Sequence, residues 1–206
     1  MRNYKKLPIC TIAIAAANVL IFLGLSFMGM TEDSAFMMEH GAMYVPYLMN
    51  GERYYTLITS IFLHFGFSHL MNNMVMLLVI GYSLEPEIGK IRFLLIYLGS
   101  GLMGNLVSAW FDVSQGSYAV SAGASGAIFG LIGALAAVLL FCKEQRKRFD
   151  GFGIFLMIAG SLYHGFQSGT TDNAAHIGGC IAGFILSMLL YVLGSLIAAH
   201  KQGRSV

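Results

Sequence analysis

Four side chains in this 206-residue sequence are of types whose chemistry goes beyond packing: Ser125, His176, His69 and Asn73. A serine hydroxyl attacks well only when a neighbouring base takes its proton, and a neutral histidine suits that task because its ordinary pKa is roughly 6.5. Attack on a carbonyl builds negative charge on oxygen, and fixed donors must meet it; losing one typically costs about 10²–10³ in rate. His69 and Asn73 are four residues apart, which puts them on one helix face about a turn apart. Together these residues can carry nucleophilic acyl transfer. Ser125 is the nucleophile, His176 the general base, and His69 and Asn73 the donors to the oxyanion. No Asp or Glu falls deep in an apolar run, so a Ser–His dyad is expected rather than a triad.

The elements that must position them are membrane helices. Of the residues, 57% are hydrophobic and 11% charged, against about a quarter charged in an ordinary soluble domain. Several apolar runs reach the roughly 20 residues that cross a hydrocarbon core. Spans are expected over 9–30, 67–83, 92–110, 118–142, 152–166 and 174–199, forming a single integral-membrane domain over 1–206. The run from Ile9 to Met30 follows a basic start but is longer than a signal-peptide core and lacks an A-x-A-like end, so it reads as a retained span. A strongly polar side chain near a span's centre costs about 2.5–3.5 kcal/mol on insertion scales, which makes each one a functional candidate. His69 with Asn73, Ser125, and His176 fall near the starts of the second, fourth and sixth spans. These spans run in the same direction, so the polar residues share a depth of roughly 5–12 Å at 1.5 Å per residue. Gly126-x-x-x-Gly130-x-x-x-Ala134 and Gly179-x-x-x-Gly183 supply small-residue stripes that let helix backbones approach closely.

Eleven of the twelve Lys and Arg residues fall in the two tails and in the connections after spans two and four, and only Arg53 lies on the opposite side. Basic residues accumulate on the cytoplasmic side, so both termini are expected there and the polar pocket is expected to open toward the external face. The loop over 31–66 is too apolar for water and too polar for the bilayer, which places it in the interface. Gly66 is the natural break before the second span. Cys10, Cys142 and Cys180 lie in or beside apolar spans, are odd in number and read as packing residues. The net charge of +2 forms no basic stripe, so no nucleic acid partner is expected.

Taken together, these residues resemble the rhomboid family of intramembrane serine proteases. Gly123-Ala-Ser-Gly126 is similar to its nucleophile motif. His64-x-x-x-x-His69-x-x-x-Asn73 resembles its second-helix motif, and Ala175-His176-x-x-Gly179-x-x-x-Gly183 its final-helix motif. The resemblance implies an all-α, six-transmembrane-helix bundle with a large interfacial first external loop. It implies cleavage of transmembrane protein substrates at or just within the outer membrane face, without a metal or organic cofactor. His64, Gly123 and Gly126 join the site as supporting residues on this basis. One departure is visible: Tyr55 and Thr56 stand where the family commonly has a Trp-Arg pair, with Arg53 nearby, which raises the question of how the loop is anchored.

Other readings stay open from the sequence. Glycine-rich helices with buried polar residues also describe small transporters, although no inverted repeat or buried acid is evident. His64, His69 and His176 could ligate zinc, but no H-E-x-x-H pattern occurs. A catalytically inactive, client-binding rhomboid-like protein is the third alternative, opposed by the presence of both Ser125 and His176. Phe129, one turn after Ser125, reads as helix packing before it reads as a cavity wall, and His40, His164 and His200 read as interfacial.

Overall fold

The computed structural model describes residues 7–142 and 172–195. The span expected over 152–166, His164, His200 and the basic run Lys143–Arg148 lie outside the described residues. Within them the chain is an all-α polytopic membrane protein, its two strands being only two residues each. Four of its helices are long and apolar enough to cross a membrane. They are α1 (Ile9–Met28), α5 (Gly66–Ile88), α6 (Lys90–Gln115) and α8, which runs over Asn173–Ser187 and continues through a π-helical turn at Met188–Val192.

A further apolar helix, α7 (Ser125–Phe141), has 17 residues and is thus only about 25 Å long. It can be short because it lies inside the bundle, with α6 and α8 as its main neighbours. Residues 126–135 are buried without a break, the pattern of a helix that is apolar all round because protein covers every side. Its start differs from the expected 118. Residues 118–124 are as apolar as a helix would be, but Val120–Ser121 forms β2, paired antiparallel with β1 (Met43–Tyr44) in the register Met43↔Ser121 and Tyr44↔Val120. Gly123 then turns the chain at φ +144, in a region L side chains rarely adopt. Ser125 is therefore the first helical residue, not one buried two turns deep.

The close approach of α7 and α8 has a visible cause. A Cβ at Gly179 would collide with the Gly126 carbonyl, one at Gly183 with the Gly130 carbonyl, and one at Gly133 with the Cys180 carbonyl. The two small-residue stripes thus face each other in register, backbone against backbone. On the other flank of α7, Gly130 leaves room for Ser100 of α6, whose hydroxyl donates to its own helix at Ile96 O, 2.6 Å away.

The loop over 31–66 is folded rather than extended. It contains α2 (Ser34–Glu39), capped by the Asp33 carboxylate accepting from Phe36 N at 2.7 Å, then α3 (Val45–Met49), α4 (Thr56–Thr59) and a 3-10 turn at Ser60–Phe62. Its anchoring needs no Trp-Arg pair. Arg53 Nη1 donates to Met38 O at 3.1 Å while its guanidinium lies 4.3 Å from the Tyr47 ring centroid. Thr56 is buried and donates to Arg53 O at 2.8 Å, whereas Tyr55 is exposed. From α6, Asn105 Nδ2 donates to Leu57 O at 2.8 Å and Ser60 Oγ at 2.9 Å, tying the loop to the bundle.

At the other end of the bundle, α5 runs five residues past the expected 83 and takes Glu85 inside, at 2% exposure. This is a buried acid that the sequence reading did not foresee. Its carboxylate accepts from Cys10 N (2.9 Å), Thr11 N (2.8 Å) and Thr11 Oγ (2.7 Å). The first turn of α1 follows Pro8 and has no side-chain cap of its own, so a carboxylate from another helix satisfies its orphan donors.

Candidate active site

The site forms where α5, α7 and α8 begin. Ser125 opens α7 and is partly exposed. The amides of a helix's first turn have no partner within the helix, so Ser125 brings its own N–H as a free-pointing donor beside its hydroxyl. The preceding turn is held from below: Gly123 N donates to Ser60 O at 2.9 Å, and Ala124 N approaches His64 Nε2 at 3.5 Å.

His69 stands three residues into α5, so its ring is at the same level. A Cβ at Gly123 would lie 2.9 Å from His69 Cε1, 3.0 Å from His69 Nε2 and 3.6 Å from Ser125 Oγ. The His69 ring and the Ser125 hydroxyl thus flank one point, kept open because residue 123 has no side chain. Asn73 is one turn deeper and buried, and its Nδ2 donates to His69 O at 3.0 Å. That bond engages one amide hydrogen in the helix itself, so Asn73 steadies His69 and has a single N–H left for the pocket.

His176 is three residues into α8. Its ring stacks on Phe129 of α7, with centroids 4.1 Å apart and planes 11° off parallel. Phe129 is four residues after Ser125, so the helix face that carries the hydroxyl also carries the platform for the histidine. The neighbouring Ala175 sits 3.5–3.9 Å from where a Gly126 side chain would be. Packing alone therefore draws the His176 turn over the start of α7.

His64 lies in the loop before Gly66 and is 1% exposed. Its ring meets that of His69 edge to face at 5.2 Å, and its Nδ1 is buried without a hydrogen-bond partner among the described residues. Burial, and to a smaller extent His69, lowers its pKa to about 3, so the ring is neutral. This enclosed ring sits against the Ala124 amide, beside the turn that leads to Ser125. His40 is held locally, its Nδ1 2.7 Å from Phe36 O. Among the described residues no group of three or more His, Cys, Asp or Glu side chains is placed to hold a metal ion.

Two features escaped the sequence reading. Phe129 seats His176, where spacing alone suggested helix packing. Asp172, just ahead of the span expected from 174, is the N-cap of α8, one turn before His176.

The arrangement defines a class: a multi-pass membrane protein with a hydroxyl, two imidazoles and an amide gathered at three helix starts. A family model described as the Rhomboid domain matches residues 51–193. The chain is 37% identical over 183 residues to Rhomboid protease GluP of Bacillus subtilis, covering 89% of this chain and 35% of that protein. It is 44% identical over 152 residues to RHOMBOID-like protein 5 of Arabidopsis thaliana, covering 73% and 48%. It is 35% identical over 157 residues to Rhomboid protease AarA of Providencia stuartii, covering 65% and 54%. The chain belongs to the rhomboid family. It spans about a third to just over half of the length of these curated relatives.

Proposed function

We propose that this chain is an intramembrane serine endopeptidase that cleaves transmembrane segments of other membrane proteins. The observation that carries the reading is the pairing across α7: His69 and Ser125 share the space at Gly123, while His176 rests on Phe129, one turn below Ser125. Two relatives named rhomboid proteases support the same activity.

In this mechanism the Ser125 hydroxyl attacks the scissile carbonyl carbon and its proton passes to a ring nitrogen of His176. The carbonyl oxygen, now negative, is met by the Ser125 N–H and by His69, with the remaining amide hydrogen of Asn73 beneath. Collapse expels the amine, which takes the proton from His176, and leaves an acyl-enzyme on Ser125. Water, deprotonated by His176, attacks that ester; collapse expels the Ser125 oxygen, which takes the proton back from His176, and the acid product leaves. The hydroxyl lies at a helix start and not at mid-bundle, so water can reach it from the surface while the substrate backbone enters from the lipid side. The partition of basic residues supports termini in the cytoplasm and a site opening to the external face.

The test is cleavage of a fusion carrying a helix-destabilised transmembrane segment, using the purified full chain in liposomes. Wild type should cleave, and folded Ser125→Ala and His176→Ala should not. A wild type silent on several such segments would favour a client-binding role, and a cleaving Ser125→Ala would remove the mechanism.

A further inference from the structure

The first turn of α8 is fixed with unusual thoroughness, and one side chain accounts for most of it. Asp172 Oδ1 accepts from Ala175 N at 2.9 Å, capping the helix. Its Oδ2 accepts from two hydroxyls on other elements, Ser108 of α6 at 2.5 Å and Ser121 of β2 at 2.9 Å. Ser121 is four residues before Ser125 and is itself held in register opposite Met43. The backbone of Asp172 takes part as well, its carbonyl accepting from His176 N at 3.2 Å. Beyond the cap, the Ala175 carbonyl lies against α6, 2.8 Å from where a Gly104 side chain would be. One carboxylate thus joins the strand that leads to Ser125, the helix between, and the turn that bears His176.

A cap alone needs one acceptor oxygen, so the second oxygen, bound to two hydroxyls from separate elements, calls for another explanation. A negative group one turn from His176 lies on the same helix face. The His176 ring lies on Phe129 of α7, and the other titratable group acting on it among the described residues is His69 of α5; neither carries negative charge.

We propose that Asp172 is a positioning residue for His176: its carboxylate fixes the imidazole's distance from Ser125 and favours the imidazolium that forms as Ser125 loses its proton. This rests on the reading of His176 as the general base. Asp172 touches no reacting atom and works through the histidine. Ser108 and Ser121 aim the carboxylate, so the helix bearing the base and the segment bearing the nucleophile move as one body.

The test compares the full chain in liposomes as wild type, Ser125→Ala, Asp172→Asn and Asp172→Ala. It reads melting temperature, kcat and KM on one transmembrane fusion, and the rate at which a fluorophosphonate labels Ser125, which needs no substrate docking. Asn caps a helix about as well as Asp, so Asp172→Asn should keep the wild-type melting temperature and KM while kcat and the labelling rate both fall roughly tenfold, a transition-state loss. Asp172→Ala should lower the melting temperature as well, and kcat at least as far. Wild-type kcat and labelling in Asp172→Asn would overturn the proposal. So would an Asp172→Ala whose loss of kcat merely tracks its loss of folded protein. A wild type that neither cleaves nor labels would instead sink the protease reading and this inference with it, an outcome Ser125→Ala distinguishes from a positioning defect.

Discussion

The Phe129 ring lies flat against His176, 4.1 Å between centroids and 11° from parallel, on the same helix that begins with Ser125. On the proposed reading His176 takes and returns a proton, which needs a fixed plane, and an aromatic face fixes it without competing for either ring nitrogen. An aromatic pair of this kind is worth about 0.5–1.5 kcal/mol beyond burial. Replacing Phe129 with Leu should therefore lower kcat roughly threefold to tenfold with little change in KM, while Phe129→Tyr, which keeps the ring face, should stay near wild type. Steady-state kinetics on a transmembrane fusion reads both.

The facing glycines make a second prediction. Gly179 and Gly183 have no room for a Cβ against the carbonyls of Gly126 and Gly130, and overpacking of this kind costs about 1–3 kcal/mol. Gly179→Ala and Gly183→Ala should each lower the melting temperature in detergent and reduce cleavage. Ile181→Ala between them, on a side chain 57% exposed, should do neither.

His64 predicts an acid sensitivity. Its pKa in the folded chain is about 3, against the ordinary 6.5 when unfolded. A histidine whose folded pKa is depressed adds stability that is complete above the unfolded value and is lost as pH falls from 6.5 toward 3, because the unfolded state binds the extra proton. Melting temperature should fall over that window, and by a smaller amount in His64→Gln. Equal acid sensitivity in the two proteins would assign it elsewhere.

Much of this was legible in the sequence because membrane helices write themselves as long apolar runs, and because histidine, asparagine and serine stand out within them. An all-α polytopic membrane protein follows from composition alone. The glycine at 66 reads as a break, and α5 begins there, with φ +78. The start of α7 was not legible: residues 118–124 are apolar enough to extend a span, and nothing local reveals that Val120 and Ser121 pair with a strand more than seventy residues earlier. The roles of two acids were not legible for one reason. Glu85 and Asp172 lie at span edges, where hydropathy alone gives a carboxylate no partner, yet each accepts hydrogen bonds from other elements that only the assembled bundle supplies.

The most direct test of the central claim is where a fluorophosphonate becomes attached. After treatment of the folded chain in liposomes and digestion, the account predicts a phosphonyl adduct on the peptide containing Ser125, with a labelling rate at least about a hundredfold lower in His176→Ala. An adduct on another residue, or equal labelling of Ser125 when His176 is alanine, would contradict it.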